Sequence, residues 1–430
     1  MHYKRYLIIG VMLVLLSVRP CAAEPSLTLT LGASADLGEL LAEALRSNPE
    51  ILAARKAVDA AQARIVQARS LDDPELNVES WAIPLNQPGN FNKANTHMVN
   101  LRQRLPFPGK LRLRGEVATQ EQAMAAARYQ AKEREVIAAV KKSYSDLFMA
   151  DRNIEITQEQ LDLLQRILKT AEVRYTVGKV TQQDVIKAQV EQSDLINRLI
   201  VSEQERQSAE ARLNTLLNRS TDAPIGRTTE REPSATALEQ EELFRLTIES
   251  NPELREAASS VKRAELSHEL AIRNQKYPDF MLGAGYWYAP QANFQHTYSA
   301  MLTFTIPFFW TKTRHDKEVE EASAQIARGE ASYRAVKNLV FLEARDNLLK
   351  SNAARKSVTL YRTGLLPQAE LSLKSAEAAY ETGRLEFTGL LEAERALREV
   401  RLGYYRALVT LEQSLADLER AVGRDILSEQ

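Results

Sequence analysis

The sequence predicts a mainly α-helical chain with a small β part, in which two long helical hairpins each carry a pair of strands. Three observations predict it. The chain is one unit written twice, its helical stretches are too long for a compact domain, and two strand pairs interrupt the helices at matching places. The duplication is read from landmarks. Ser47-Asn48-Pro49-Glu50 returns as Ser250-Asn251-Pro252-Glu253, 203 positions later. Asp73-Pro74-Glu75-Leu76 is answered by Tyr277-Pro278-Asp279-Phe280, Leu105-Pro106-Phe107 by Ile306-Pro307-Phe308, and Arg174 to Lys179 by Ala379 to Arg384, at offsets of 204, 201 and 205. A duplication this long makes each half a building element of a larger symmetric object.

At the amino terminus, Lys4 and Arg5 precede an apolar run from Tyr6 to Val18, and Cys21-Ala22-Ala23 offers small residues for cleavage before Glu24. This is the order of a secretory signal peptide, 1–23. An uncleaved anchor is the competing reading, but the run falls short of the roughly 20 apolar residues a spanning helix needs. Cys21 is the only cysteine, so cleavage leaves a mature chain without thiol or disulfide chemistry. Arg19 and Pro20 stand where a lipoprotein has small residues.

Each repeat then opens with a shorter leading helix, predicted over 37–69 and 241–273. The first long helix is predicted over 110–175, where no proline falls between Pro108 and Pro224 and no glycine between Gly115 and Gly178. Ile137, Val140, Tyr144 and Leu147 repeat at three-four spacing, as do Leu161, Leu164, Leu168, Ala171 and Tyr175. At 1.5 Å per residue such a rod is on the order of 100 Å long and must pack along other rods. Gly178 permits a reversal, and a return helix follows over 181–217. The second repeat predicts a helix from 312 toward 380, interrupted at Gly364 and Pro367, where proline should bend or break it. A reversal at Thr382-Gly383-Arg384 leads to a last helix over 387–422. The repeats span 36–219 and 238–424. Between them, 220–237 is rich in Thr, Pro, Ser and Arg and reads as a connector.

The strands lie between leading and long helix, at about 75–81 and 98–105 in the first repeat and 280–288 and 297–305 in the second. Leu76 and Val78, then Val99, Leu101 and Leu105, alternate with polar neighbours. Phe280, Leu282, Ala284, Tyr286 and Tyr288 share one face, and Tyr298, Ala300, Leu302 and Phe304 alternate with Ser299, Thr303 and Thr305. Strands of about 8–10 residues suit a tilted membrane crossing. Trp81, Trp287, Tyr286, Tyr288, Phe308, Phe309 and Trp310 cluster at or beside strand ends, as an aromatic girdle would. A soluble sheet capping a helical bundle is the competing reading. Four strands cannot close a barrel with a lumen, since small barrels need about eight, so copies must pool their strands.

Composition removes other classes. The 56 basic and 57 acidic residues give a net charge of −1, and loss of the signal takes this to −4. No basic excess is left to attract nucleic acid. After the signal no apolar run is long enough for a transmembrane helix. His97, His268, His296 and His315 are scattered, as are the mature methionines, so no metal site is expected. No phosphate loop, nucleophile elbow or Cys/His pair is present, and neither an enzyme nor a cofactor is expected.

With the duplication, the Asn-Pro-Glu openings, Leu105-Pro106-Phe107-Pro108-Gly109-Lys110, Tyr175-Thr176-Val177-Gly178 and Tyr380-Glu381-Thr382-Gly383, the chain resembles the TolC family of outer-membrane efflux proteins from about 36 to 422. The Pro-Phe-Pro-Gly-Lys stretch is most similar to the CzcC/CusC-like branch for heavy-metal cations. The resemblance implies a homotrimer with a shared twelve-stranded barrel in the outer membrane of a Gram-negative bacterium and a periplasmic α-helical tunnel. It implies a passive exit duct for a tripartite pump of the resistance-nodulation-division type, with a periplasmic membrane-fusion adaptor and an inner-membrane transporter as partners. Drug or other small-molecule efflux is the alternative cargo. A periplasmic coiled-coil scaffold or adaptor, or a surface-layer or adhesion protein, are the alternatives from other classes.

The same resemblance assigns the hairpin ends. Val177, Gly178 and Lys179, with Thr382 and Gly383, are the tips expected to meet the adaptor, although each glycine also suits an ordinary helix C-terminus. Asp184 is the candidate for an acidic ring at the aperture, which in several copies would attract cations. Tyr380 is similar to the tyrosine that holds the second hairpin shut. Arg384 stands one residue before the family's latch arginine, whose place Leu385 takes. Gly364 and Pro367 are the expected flexure.

Overall fold

The computed structural model describes residues 35–86, 88–177, 181–230, 239–289, 296–305 and 311–426. The signal segment, the tip residues Gly178 and Lys179, most of the second half of the connector, and Phe308, Phe309 and Trp310 lie outside the described residues.

The two repeats have the predicted plan. The first contains α1 (Leu37–Ser47), α2 (Pro49–Arg69), β1 (Glu75–Trp81), β2 (Thr96–Leu105), α3 (Lys110–Thr176) and α4 (Gln182–Leu216). The second contains α5 (Gln240–Ser250), α6 (Pro252–Lys276), β3 (Phe280–Tyr288), β4 (His296–Phe304), α7 (Lys312–Leu360), α8 (Leu366–Glu381) and α9 (Phe387–Val422). Long-helix boundaries fall within a residue or two of expectation.

The leading helices are where expectation fails. Each is two helices, broken at Asn48 and at Asn251. Proline next to each asparagine starts a new helix at its first position, where its missing N–H costs nothing. The Asn48 side chain accepts from the N–H groups of Glu50 and Ile51 at 2.9 and 3.2 Å, and its Nδ2 donates to the Leu216 carbonyl at 2.9 Å. Asn251 accepts from Leu254 N–H at 2.9 Å and donates to the Ala421 carbonyl at 2.8 Å. One asparagine per repeat thus caps its own helix and a carbonyl at the end of the return helix. The repeated Ser-Asn-Pro-Glu motif is a staple that closes each unit on itself.

The four strands form one antiparallel sheet in the order β1-β2-β3-β4. Register puts Leu76 opposite Leu101, Leu101 opposite Ala284 and Ala284 opposite Ala300. One face therefore carries Leu76, Val78, Val99, Leu101, Leu282, Leu302 and Phe304, and it is uncovered, with Leu76 67% and Val78 66% exposed. The other carries Asn77, Glu79, Asn100, Arg102, Ser299 and Thr303. Among the described residues no helix packs along the sheet as the helices pack along one another. Register also corrects the girdle. Trp81 pairs with Thr96, and Trp287 with Met98 and Thr297, on the polar face. Tyr286, Tyr288 and Tyr298 share the apolar face with His97 and His296. Among the described residues β1 and β4 each keep one unpaired edge.

The sheet is tied to the rods by a cross-repeat contact. Lys110 is 2% exposed, and its Nζ donates to Asp279 Oδ1 and to the Tyr277 carbonyl, both at 2.8 Å. Phe107 stacks on Tyr277 with ring centres 4.3 Å apart, and its N–H donates to Asp279. Midway along the rods, the start of the connector is pinned to α3, where Asp151 accepts from Thr228 N–H and Oγ1 at 2.9 and 2.7 Å and from Arg206 at 2.7 Å.

Candidate channel tip and flexure

The two hairpins meet at their ends in one apolar cluster. Leu161 and Leu164 of α3, Ala188 and Leu195 of α4, Tyr380 of α8, and Phe387, Leu390 and Leu391 of α9 are buried together. Tyr380 is therefore a core residue of the tip. Its ring meets Phe387 edge-on at 6.0 Å. Its hydroxyl is buried without a hydrogen bond of normal geometry. Burial pushes the phenol above its ordinary pKa, the nearby Arg174 opposes this, and Asp184 adds to the rise.

Arg174 is the residue that sequence reasoning passed over. From the last turn of α3 it donates to the carbonyls of Tyr380 and Glu381, both at 2.9 Å, and its guanidinium lies 4.9 Å from the Tyr380 ring centre. It therefore caps the C-terminus of α8 from another helix and stacks as a cation on the tyrosine. The signal was a mismatch between the repeats: where the first has Arg174, the second has Ala379.

The second tip closes as a Schellman turn. Arg384 N–H donates to the Ala379 carbonyl at 2.8 Å and Gly383 N–H to that of Tyr380 at 3.0 Å, with Gly383 at φ +73°. Thr382 is the C-cap, and its Oγ1 donates back to the Ala378 carbonyl at 3.1 Å. The Arg384 side chain is exposed and makes no ion pair with a described residue. On the first tip Val177 is the exposed C-cap of α3.

Asp184 has a local task. Its carboxylate accepts from Thr181 N–H at 3.1 Å and Thr181 Oγ1 at 2.9 Å, which caps the start of α4. Beside it an open groove of about 660 Å³ runs between α4 and α9, lined by Ile186, Lys187, Val190, Thr388, Leu391 and Arg395 among others.

The expected interruption at Gly364 and Pro367 takes a different form. The helix neither ends nor loses its direction of winding. Tyr361–Leu365 is a π-helical turn, and Leu366 N–H donates to the Tyr361 carbonyl, five residues back. Pro367 follows in the first turn of α8. A π-turn inserts one residue into the ladder and shifts its frame, which accommodates a residue that cannot donate. A Cβ on Gly364 would meet only ordinary contact with Leu360, so packing does not demand glycine there.

Among the described residues no three His, Cys, Asp or Glu side chains group to hold a metal ion, and no helix is long and apolar enough to cross a membrane.

Residues 40–219 and 243–424 each match the model of a family described as outer membrane efflux protein. The sequence is 26% identical over 393 residues, 89% of each chain, to the cobalt-zinc-cadmium resistance protein CzcC of Cupriavidus metallidurans strain CH34. Among solved structures, CusC superposes with a TM-score of 0.78 at 19% identity, covering 93% of this chain and 96% of that one. The outer membrane protein VceC of Vibrio cholerae superposes with a TM-score of 0.75 at 20% identity, covering 91% and 96%.

Proposed function

Since the chain belongs to the outer membrane efflux protein family, we propose that it is the exit duct of a tripartite pump of the resistance-nodulation-division type, built from three copies. The carrying observation is the sheet. Among the described residues its apolar face is uncovered, its other face is polar, and both edges are open at the end of rods about 100 Å long. A membrane tolerates strands only in a closed barrel, so other copies must satisfy those edges and lipid must cover the apolar face. Three copies supply twelve strands and leave the rods in the periplasm of a Gram-negative cell. The decisive trial purifies the protein from outer membranes and records planar-bilayer conductance. Discrete channels from trimer-sized material are expected; a soluble periplasmic protein without conductance would overturn the duct.

The cargo we propose is heavy-metal cations, supported by the similarity to a protein named for cobalt, zinc and cadmium resistance. The duct conducts passively, and selection rests with the inner-membrane transporter. Deleting the gene should sensitise cells to divalent metals more than to organic toxicants; the reverse order would assign the drug-efflux cargo instead.

At the tip, Val177, Gly178, Lys179, Thr382 and Gly383 meet the periplasmic adaptor, and the groove between α4 and α9 continues that surface. Asp184 and Arg384 frame the aperture, Tyr380 holds the second hairpin shut from within the tip cluster, and Gly364 with Pro367 is the flexure. Since Asp184 also caps α4, the informative change is Asp184→Asn, which retains capping capacity while removing charge. Loss of cation preference with an intact tip supports the ring; unchanged selectivity removes Asp184 from the aperture.

A further inference from the structure

Next to the apolar tip cluster, α9 buries a carboxylate without a hydrogen-bond partner among the described residues, and an arginine whose Nε faces the exposed Glu399 at 3.8 Å. Glu394 is 3% exposed and Arg398, one turn on, is 6% exposed. Among the described residues neither carboxylate oxygen of Glu394 has a hydrogen-bond partner, nor do Nε and Nη1 of Arg398. Gln160 on the facing α3 is also buried with an unpartnered Oε1. Glu191 on the neighbouring α4 gives the contrast: it is equally buried, yet it is held by an ion pair with Arg395. An unpaired buried carboxylate is unstable as an anion and takes up a proton instead. Burial raises the Glu394 carboxyl to about 7; Arg398 opposes the rise, Glu191 adds to it, and Arg395 opposes it.

The other surroundings are apolar or committed. In the adjoining cluster α3 supplies Leu161 and Leu164, and α8 supplies Leu373 and Ala376. Glu159 of α3 is bonded to Arg401 at 2.7 Å, and Glu370 of α8 lines a neighbouring pocket with both. Position along the hairpin matters equally. On α9, Glu394 and Arg398 fall between Phe387, which meets Tyr380, and Gly403, which Tyr361 closes upon. They thus lie opposite the stretch of α8 that begins at the π-turn and contains Pro367.

We propose that Glu394 is a proton-controlled latch on the α8–α9 hairpin: neutral, it lets α9 seat against α3 and α4; ionised, it draws Arg398 and water into the seam and loosens the hairpin at the level of the π-turn. The direction follows from linkage. A seated Glu394 holds a proton that an opened, hydrated one gives up, so the seated form is favoured in acid and loses that advantage as pH rises from about 4.5 to about 7.

The test is hydrogen exchange by mass spectrometry on the full-length protein in its native oligomer, from pH 5.5 to 8.5, with rates corrected for intrinsic exchange. Protection in α8 and in the first half of α9 should fall on the order of tenfold from pH 5.5 to about 7 and level off above, while the middle of α3 stays constant. Glu394→Gln, isosteric and permanently neutral, should keep the acid-state protection at every pH. Arg398→Gln provides a second arm that keeps the acid. Removing the opposing cation should move the wild-type midpoint to higher pH. Flat protection in the wild type, or a Glu394→Gln profile that titrates like it, would overturn the latch, as would an unmoved midpoint in Arg398→Gln. Local protection is read without conductance, so the latch and the duct fail separately.

Discussion

The two repeats share a plan and differ in how they bend. In the first, α3 runs unbroken for 67 residues, with α4 returning along it. In the second, the matching rod is divided by a π-turn and a proline, and its tip is held by an aromatic pair with no counterpart among the described residues of the first. Gln182, the first residue of α4, occupies in the first repeat the place of Phe387 in the second. Duplication preserved length and staples while letting one copy acquire a frame shift, a buried tyrosine and an unpaired acid. The first hairpin therefore reads as the frame and the second as the part with more than one seat.

The largest effect should come from removing the aromatic that distinguishes the second tip. Phe387→Ala empties a fully buried site and should cost about 3–5 kcal/mol locally. Limited proteolysis should then cut near 381–387 and spare the α3–α4 hairpin. Equal sensitivity of both tips would erase the distinction between frame and moving part.

A smaller loss is expected where the repeats are tied together. Lys110→Met leaves Asp279 without its cation, and because that carboxylate is partly exposed the cost should be about 2 kcal/mol. Burial works to raise the Asp279 pKa, but Lys110 and the Phe107 N–H outweigh it and hold the carboxyl below its ordinary value. The sign is that of a depressed acid. Its stabilisation is complete above the ordinary aspartate range and is lost as pH falls through the folded value, in acid below about pH 4. Thermal melts of the wild type should lose this increment on the acid side, and Lys110→Met should flatten that limb while lowering the melting temperature at pH 7.

Arg174 tests how the frame holds the moving part. Arg174→Lys keeps the charge but cannot span two carbonyls, so about 1 kcal/mol should be lost at the end of α8. Exchange protection of Tyr380 to Thr382 should fall by about fivefold with α3 unaffected. No change would mean that the Schellman turn alone holds that end.

Most of this was legible beforehand for physical reasons. Rods of 35 to 67 residues have too many three-four repeats to be mistaken, and period-two strands fix their faces once the register is known. What escaped were features set by single residues in context. The Asn48 and Asn251 breaks read as openings within one helix, because the carbonyl that each asparagine Nδ2 donates to lies some 170 residues away and leaves no local trace. Trp81 and Trp287 were grouped with the tyrosines because proximity to a strand end says nothing of its face. Asp184 was read only as an aperture acid, although Thr181 three residues earlier is a local capping signal. Arg174 and Glu394 could have been found by asking where the repeats disagree in charge partners.

The smallest expected effect on stability addresses the asymmetry most directly. Pro367→Ala restores the N–H whose absence the π-turn accommodates. With it, Tyr361–Leu365 can relax to an α-helical frame, so stability should change by less than about 1 kcal/mol. The frame shift has a larger consequence, since removing one inserted residue turns every side chain of α8 beyond it by about 100° relative to α7. The Tyr380 contacts with Arg174 and Phe387 oppose that turn, so the α-helical frame competes with the π frame and brings no large gain in stability. If the π-turn is the seat of motion, Pro367→Ala should keep its melting temperature yet lose efflux in cells, with exchange in α8 slowed. If efflux survives with slowed exchange, the turn only accommodates a proline, and the second hairpin must move from its tip alone.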